Sequence, residues 1–541
     1  MTRSVDLNNL PKRNFAVLLL VCLNFVIGYF SLDLAPIGLD EPFSIFHAQM
    51  GVHEIIEKLS GGNNPPLYEI LLHFWIKEFG ISAFSVRMPS LLFTLITVFF
   101  VFRIAEKVLS FNGAVLSVLL FTFSNYSHSL ILESRSYSLF LLLSSILVYV
   151  VITISENKSH RIRYFAAFSI VGALLLYTHY FGAFVVLFLS SWLYLVNFRE
   201  LGFLKKYLTS LLLMGVLYFP YMNELFIRFI TSSSQGTWLK PTENLGNYHD
   251  YFMWCSNESR PLYLIYMIIM YASVWKYIYQ SQIYVKVKSV FLYLVLPIYF
   301  LIGVSIFFHL PFIWRLTELD IVTLTYTVIQ LLFFAFFLYK ISDNQKNAFF
   351  TVSLSFMSVT IFFVTSFIMP IWLDRYLLFT LPFFYIAIAL ISSYLFRNKI
   401  LLLFSFVLVL LMWSSFDVRK TNHQSFGDII QYVRQHVDES TLIVLNPKSF
   451  DLNFLYHYNP KVFSLYASDA DAMNRAGIYS VYSIEETMTA LQKHRGRIVY
   501  LDAHSDFLLP NNGIYDYMKR TYVLSDERLF DKQLKVCLFN P

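Results

Sequence analysis

Residues 14–32 read NFAVLLLVCLNFVIGYFSL, and the chain continues with DLAPIGLDEP to residue 42. A helix needs roughly 20 predominantly apolar residues to cross the hydrocarbon core of a bilayer, and this stretch has about that length. Lys12 and Arg13 precede it, as in a secretory signal, but the run is long and shows no clear small-residue cleavage site. We therefore predict an uncleaved first transmembrane span that ends shortly before the acidic pair Asp40-Glu41.

The same apolar character extends over most of the chain. Of 541 residues, 57% are hydrophobic and 14% are charged, whereas a soluble domain carries roughly 25% charged residues. This composition excludes a soluble or disordered protein, and also a nucleic-acid binder, which would need far more Lys and Arg. On the length template, about thirteen segments qualify as spans. Their predicted limits are 14–32, 85–104, 112–129, 136–154, 164–179, 181–198, 206–222, 261–279, 289–309, 320–339, 348–368, 376–396 and 400–417.

Lys and Arg indicate the orientation of these spans. Every connecting segment on the side of the N-terminus is positively charged, for example around Arg161 and Arg163 or Lys205 and Lys206, and such short loops lie in the cytoplasm. An odd number of spans then places the chain after residue 417 outside. The prediction is a transmembrane domain over 1–417, with amphipathic outer loops 33–84 and 223–260, and a soluble outer domain over 418–541.

The terminal segment has the pattern of a small α/β domain. Apolar residues recur with helical spacing from Phe426 to Val433. Four β-rich runs follow at Thr441–Leu445, Lys461–Leu465, Arg497–Leu501 and Leu534–Leu538. The predicted fold class is thus an α-helical polytopic membrane protein with a C-terminal extracytoplasmic α/β domain.

Scarce polar residues gather at the outer ends of the predicted spans. They form four groups, Asp40-Glu41, Glu133-Ser134-Arg135, Tyr177-Thr178-His179 and Asp374-Arg375. Each has an ordinary structural explanation: a helix cap before Pro42, a local ion pair, a satisfied interfacial histidine and an anchoring arginine. Because all four groups lie on one side of the membrane, they favour a common site there.

Several motifs follow one another in order along residues 14–396. They are Asp40-Glu41, Asn64-Pro65-Pro66-Leu67-Tyr68, Arg87-Met88-Pro89-Ser90, Glu133-x-Arg135-x-Tyr137, Tyr177-Thr178-His179-Tyr180-Phe181-Gly182, Trp238-Leu239-Lys240-Pro241 and Arg375-Tyr376-Leu377-Leu378. As an ordered set they resemble the GT-C superfamily of integral-membrane glycosyltransferases. The nearest branch is similar to the bacterial family related to dolichyl-phosphate-mannose protein mannosyltransferases and to lipid A aminoarabinose and lipopolysaccharide-core sugar transferases.

The resemblance implies an inverting glycosyltransferase of the bacterial inner membrane, whose site and terminal domain face the periplasm. It implies a polyprenyl-phosphate sugar donor, which also suits an outer face without nucleotide sugars, and a hydroxyl acceptor on a glycan, lipid or protein. In this interpretation Asp40 is the general base, and Glu41 orients it or contacts the sugar or a metal. The donor phosphate is bound by three cations, Lys58, Arg135 and Arg375.

The remaining candidates complete the predicted site. Glu133 either orients Arg135 or binds the acceptor, and His179 contacts the phosphate or a metal. Tyr137 and Asn64 belong to the substrate-binding set. The family usually has His where this chain has Asn64, so no cofactor is assigned and dependence on a divalent cation stays open.

Other interpretations remain open on the sequence alone. A transporter or flippase of lipid-linked sugars also has many spans, although it would favour interrupted helices and ionisable residues near the midplane. A glycan polymerase or ligase would favour one large late outer loop. The run Asp502-Ala503-His504-Ser505-Asp506 has metal-ligand types but fits a polar loop, and Cys255 could pair with Cys537.

Overall fold

The computed structural model describes most of the chain from residue 10 to residue 541. The residues outside the description are 39, 61, 63, 157–160, 236–244, 281–346, 348–349, 352, 367–369, 421–425, 493, 504, 506–512 and 531–533, besides 1–9. Two predicted spans, 289–309 and 320–339, lie outside the described residues, as do Trp238-Leu239-Lys240-Pro241, His504 and Asp506.

The membrane part is helical throughout the described residues. Its helices are α1 (Leu10–Ser31), α2 (Glu41–Ala48), α3 (Val52–Leu59), α4 (Leu67–Phe79), α5 (Ala83–Val108), α6 (Phe111–Thr122), α7 (Asn125–Ser129), α8 (Tyr137–Glu156), α9 (Ile162–Thr178), α10 (Gly182–Asn197), α11 (Leu201–Tyr218), α12 (Met222–Gln235), α13 (Leu245–Trp254), α14 (Arg260–Gln280), α15 (Ser358–Ser366), α16 (Leu381–Leu395) and α17 (Asn398–Ser414). A π-helical segment, Ser353–Met357, leads into α15, and short 3₁₀ turns at Asp374–Tyr376 and Leu378–Thr380 lead into α16.

The apolar helices confirm a multi-pass membrane protein. Within the described residues, six helical segments are long and apolar enough to cross a membrane: Pro11–Ser31, Ala83–Val108, Tyr137–Glu156, Gly202–Thr231, Arg260–Gln280 and Leu378–Leu395. Five shorter apolar helices lie at Phe111–Thr122, Ile162–Thr178, Gly182–Asn197, Ser353–Ser366 and Asn398–Ser414. Each predicted span inside the description overlaps one apolar helix, although the helix of the predicted span 112–129 already ends at Thr122.

Few breakers interrupt these helices, and serines mark where several begin. Ser110 and Ser124 occupy N-cap positions of α6 and α7, and their hydroxyls accept hydrogen bonds from the backbone N–H groups of Gly113 and Ser127, as N-cap residues commonly do. Helix α5 packs against α1, α6 and α8, while α16 packs against α6 and α14. Between spans, the Asn24 amide donates to the Thr122 hydroxyl at 2.8 Å. The apolar core is thus tied by a few satisfied polar groups.

The segment between α1 and α5 folds into three amphipathic helices, α2, α3 and α4. Pro42 lies in the first turn of α2, where its missing N–H costs nothing. Gly80 ends α4 with a φ of 75°, a left-handed conformation that favours glycine. Asp40 occupies the N-cap position of α2 but makes no side-chain capping hydrogen bond, so the helix-cap explanation for this residue was wrong.

The terminal segment is an α/β domain, as predicted. Its elements are α18 (Gly427–His436), β1 (Leu442–Asn446), α19 (Asp451–Tyr458), α20 (Pro460–Tyr466), α21 (Ala472–Arg475), β2 (Ile478–Ser480), α22 (Ile484–Leu491), β3 (Ile498–Ala503), α23 (Ile514–Thr521), β4 (Val523–Phe530) and β5 (Leu534–Asn540). The sheet order is β2-β1-β3-β5-β4, with β1 parallel to β2 and β3, and β5 antiparallel to β3 and β4.

One predicted strand is a helix. The run Lys461–Leu465 lies within α20, because Asn459 occupies the N-cap position and Pro460 the first turn. The Asn459 side chain accepts a hydrogen bond from the N–H of Val462 at 3.2 Å. The Asn-Pro pair is a helix-start signal that the β-rich composition of the run concealed. Cys255 and Cys537 are both buried free thiols.

The terminal domain packs directly on the segment between α1 and α5. Phe46 of α2 contacts Phe463 and Tyr466, with ring centroids 5.7 and 5.3 Å apart. The Tyr456 hydroxyl donates to the Ile81 carbonyl at 2.9 Å, and His457 Nε2 lies 3.0 Å from the Ile37 carbonyl. These contacts hold both ends of the segment that carries Asp40.

Candidate active site

The buried end of the site is an ion pair between Glu41 and Arg87. Both side chains are fully buried, and the guanidinium donates to the carboxylate through Nε at 2.9 Å and Nη2 at 2.7 Å. The backbone N–H groups of Gly38 and Ser134 donate to the two carboxylate oxygens at 2.7 and 2.8 Å. Each oxygen of Glu41 therefore accepts two hydrogen bonds.

Arg87 is equally saturated. Its Nη1 donates to the carbonyls of Leu32 and Ala35 at 2.8 and 2.6 Å, and its Nη2 also donates to the carbonyl of Pro36 at 2.8 Å. Together with the two bonds to Glu41, these use all five N–H donors of a guanidinium. The pair fixes the chain that leaves α1, and this geometry favours a structural role for Glu41 over contact with a substrate.

The open end of the site is an ion pair between Asp40 and Arg375. Arg375 Nη1 contacts Asp40 Oδ2, and the two side chains are 25% and 38% exposed. The Arg375 guanidinium also lies 5.7 Å from the centroid of the Tyr137 ring. Asp40 thus contacts both solvent and a cation. Glu41, by contrast, has no contact with solvent and no unused hydrogen-bonding position.

Arg135 lies near this pair and is positioned by contacts with α2. Its Nη1 donates to the Ser44 hydroxyl at 2.9 Å, and its guanidinium lies 5.4 Å from the centroid of the Phe43 ring. The Ser44 hydroxyl in turn donates to Glu69 Oε1 at 2.8 Å. Burial raises the pKa of Glu69, although Arg135 acts in the opposite direction. A relay from Glu69 through Ser44 therefore positions Arg135.

Glu133 lies among these charges, nearly buried. Its backbone carbonyl accepts from the Ser90 hydroxyl at 2.8 Å, while its side-chain Oε1 has no hydrogen-bond partner among the described residues. Burial raises the pKa of Glu133 to about 8; Arg375 opposes the rise and Asp40 adds to it. The group is therefore mostly protonated at neutral pH and able to donate or accept a proton.

His179 ends α9 beside Tyr137. The N–H of Phe181 donates to Nδ1 at 3.2 Å, which leaves the ring proton on Nε2, and that atom has no partner among the described residues. Burial, together with the neighbouring charges of Arg135 and Arg375, lowers the pKa of His179 to about 3. A neutral imidazole here can donate one hydrogen bond to an anionic oxygen.

Two predicted residues are placed differently. Lys58 is exposed at the end of α3 and faces His47, whose pKa is lowered mainly by burial, with Arg135 and Lys58 adding to the effect. Asn64 is buried just before α4. The structure thus brings together Asp40, Glu133, Arg135, Tyr137, His179 and Arg375, with Glu41 beneath them and Lys58 at the margin.

Sequence reasoning missed the supporting residues. Glu69 and Ser44 carried a usable signal, since a Glu inside the apolar run of α4 is costly unless something pairs with it. Arg87 belongs to the motif Arg87-Met88-Pro89-Ser90, but its pairing with Glu41 was not predicted. The described residues contain no cluster of three His, Cys, Asp or Glu side chains suited to a metal.

Residues 63–222 match the family model of dolichyl-phosphate-mannose-protein mannosyltransferases. This match confirms the resemblance to the GT-C glycosyltransferases. The matched segment includes Glu133, Arg135, Tyr137 and His179, whereas Asp40 and Arg375 lie outside it. No curated protein matches the chain significantly.

Solved GT-C structures align with most of the chain at low identity. ArnT from Cupriavidus metallidurans in the apo state aligns over 96% of this chain and 97% of its own, with 11% identity and a TM-score of 0.46. The same protein bound to undecaprenyl phosphate gives 12% identity and a TM-score of 0.47 over the same shares. The Archaeoglobus fulgidus oligosaccharyltransferase in complex with Zn and sulfate aligns over 91% of this chain and 68% of its own, with 10% identity and a TM-score of 0.46.

Proposed function

We propose that this GT-C glycosyltransferase transfers a sugar, with inversion, from a polyprenyl-phosphate donor to a hydroxyl of a glycan, lipid or protein acceptor on the outer face of the membrane. The observation that carries the proposal is the contrast within Asp40-Glu41. Glu41 is saturated with four hydrogen bonds, whereas Asp40 is more than a third exposed beside Arg375.

The local charge fits a phosphodiester. Arg135 and Arg375 supply two positive charges, and Asp40 supplies one negative charge. Glu133 is mostly neutral near pH 7 because burial raises its pKa to about 8. The resulting balance near +1 complements the single negative charge of a polyprenyl-phosphate sugar.

Donor binding supplies a way to activate the base. A phosphate oxygen competes with Asp40 for Arg375, since arginine binds either anion in a bidentate manner. As Arg375 moves towards the phosphate, its ion pair with Asp40 opens, and the Asp40 carboxylate can accept the proton of the acceptor hydroxyl. The oxygen of the acceptor hydroxyl then attacks the anomeric carbon, and the bond between that carbon and the phosphate oxygen breaks. Arg135, Arg375 and the Nε2 proton of His179 stabilise the charge that develops on the leaving phosphate.

The experiment uses the purified full chain in proteoliposomes. Undecaprenyl-phosphate mannose, glucose and aminoarabinose are offered in turn with lipid A, lipopolysaccharide core and a serine-rich peptide, and mass spectrometry measures sugar transfer. We expect one donor and acceptor pair to react, with an inverted anomeric configuration by NMR. Asp40→Asn should lower kcat by about 10² to 10⁴.

Asp469→Asn is the matched control, because Asp469 also pairs with an arginine, Arg475, on the exposed surface of the terminal domain. It should transfer sugar at the wild-type rate. Full activity of Asp40→Asn would refute the role of Asp40 as base. Movement of intact donor across the bilayer, without consumption of any donor, would instead support the flippase alternative and refute transfer.

A further inference from the structure

An open pocket shares the 3₁₀ turn Asp374–Tyr376 with the candidate active site. Asp374 lines this pocket, whereas the next residue, Arg375, pairs with Asp40. The other walls come from α7, from the turn after α13 and from the chain just beyond α17. None of these walls belongs to the set of residues assigned to the donor phosphate.

The pocket has an aromatic wall with an unsatisfied hydroxyl. The rings of Tyr126 and Trp254 lie 6.1 Å apart at 41°. Tyr126 is only 7% exposed, and its hydroxyl has no hydrogen-bond partner among the described residues. Leaving a buried hydroxyl without a partner costs about 1–3 kcal/mol, so this wall is suited to a ligand that offers both an apolar face and a hydrogen-bonding group.

The charges of the pocket disfavour an anionic ligand. Glu258 and Lys420 form an ion pair of 2.6 Å, and both remain largely exposed. Asp374 adds a second carboxyl, and burial raises its pKa. With two carboxyl groups and one ammonium, the lining has no net positive charge to attract a phosphate, but it offers several donors and acceptors for hydroxyl groups.

The turn that closes the pocket is held rigidly. Asn257 accepts from the N–H of Asn125 at 2.7 Å and donates to the carbonyls of Phe123 and Met412 at 2.8 and 3.2 Å. Asn257 and Glu258 have φ values of 53° and 58°, a left-handed conformation that is uncommon for Glu and persists when its surroundings enforce it. A rigid pocket loses little entropy when a ligand binds.

We propose that this pocket binds a neutral sugar unit of the acceptor, whose hydroxyl groups bond to Tyr126 and Asp374 and whose ring stacks on Trp254. Identifying this sugar as the acceptor rests on the proposed transferase function, but binding of the sugar does not require transfer. A saccharide longer than one unit would extend along the Asp374–Tyr376 turn towards Asp40. This assigns the acceptor of the proposed reaction to the saccharides and not to peptides.

The test measures binding and transfer separately in the full chain reconstituted in nanodiscs. Saturation-transfer NMR is recorded with the methyl glycosides of glucose, galactose, mannose and N-acetylglucosamine, and with glucose 1-phosphate as the anionic comparison. At least one neutral glycoside should bind, and glucose 1-phosphate should bind more weakly. Tyr126→Phe should weaken binding about fivefold, as expected for the loss of one hydrogen bond.

Tyr266→Phe is the matched control, because the Tyr266 hydroxyl is also buried without a partner among the described residues but does not line the pocket. It should leave binding unchanged. In the transfer reaction, Tyr126→Phe should raise the acceptor KM about fivefold and leave the donor KM unchanged.

The outcomes separate the two proposals. Sugar binding that depends on Tyr126, in a protein that transfers no sugar from any donor, would support the pocket and refute the transferase. Transfer with an unchanged acceptor KM in Tyr126→Phe would support the transferase and overturn the pocket. Saturation transfer to none of the neutral glycosides would also overturn the pocket.

Discussion

Asp40 and Glu41 are adjacent in sequence, and each pairs with an arginine, yet the two pairs belong to different regions of the molecule. Glu41 and Arg87 are fully buried and leave no hydrogen-bonding position unused. Asp40 and Arg375 are partly exposed and lie beside the nearly buried carboxyl of Glu133. A buried pair must be complete because desolvated charges are costly, whereas a partly exposed pair can exchange one partner for a substrate.

The largest expected effect is on folding. Arg87→Met should remove five hydrogen bonds and leave the Glu41 charge buried without a cation, which costs about 3–5 kcal/mol when one partner of a buried pair is lost. The yield of folded protein and the Tm in detergent, measured by intrinsic fluorescence, should both fall sharply. A Tm equal to that of the wild type would show that the pair does not stabilise the segment between α1 and α5.

The open pair should respond in the opposite way. Arg375→Met should lower kcat about 10²-fold, because a donor aimed at developing charge is lost, whereas its loss from a partly exposed pair costs about 1 kcal/mol or less of stability. Transfer assays and Tm measurements on the same preparation check both parts. The comparison would fail if Arg375→Met lost as much stability as Arg87→Met.

The protonation of Glu133, which lies beside the Asp40–Arg375 pair, should make the stability of the protein depend on pH. Its folded pKa of about 8 is above the ordinary value near 4.3, so the folded state retains a proton that the unfolded state has released. The contribution of this retained proton to the free energy of unfolding is complete below about pH 4 and decreases as the pH rises towards 8.

Glu133→Gln mimics the protonated form at every pH. The Tm advantage of this variant over the wild type should therefore be absent near pH 4 and increase up to about pH 8. Fluorescence-detected unfolding across this range measures it. A constant Tm difference at every pH would contradict the raised pKa.

The smallest effect is expected at the margin of the site. Lys58 is exposed at the end of α3, where a charge acts on a phosphate through solvent. Lys58→Met should raise the donor KM about two- to threefold at low salt, leave kcat unchanged, and lose this difference at 0.5 M salt. A drop in kcat as large as that of Arg375→Met would instead place Lys58 in direct contact with the reacting group.

Much of the helical fold was predictable because length and apolarity alone specify a span. The match at α5, α8 and α14 rests on helices of 26, 20 and 21 residues that are predominantly apolar. The error at α20 arose because β-branched and aromatic residues occur in both states, and only the Asn459-Pro460 pair carried the local signal.

The site was predictable in part. Sidedness alone grouped Asp40 with Glu133, Arg135 and Arg375, and the structure places these side chains within electrostatic reach of one another. The division of labour between Asp40 and Glu41 was not predictable, since it depends on α5 bringing Arg87 across 46 residues of sequence. A local pattern contains no information on which of two neighbouring carboxylates such an arginine selects.

The packing of the terminal domain against α2 has a consequence for protein engineering. Phe463 and Tyr466 cover Phe46, and His457 approaches the carbonyl that lies three residues before Asp40. A chimera that exchanges only the terminal domain with a relative would therefore present a mismatched surface to the segment that carries the candidate base. Helices α2, α19 and α20 share one packing surface, so a functional chimera has to take all three helices from the same protein.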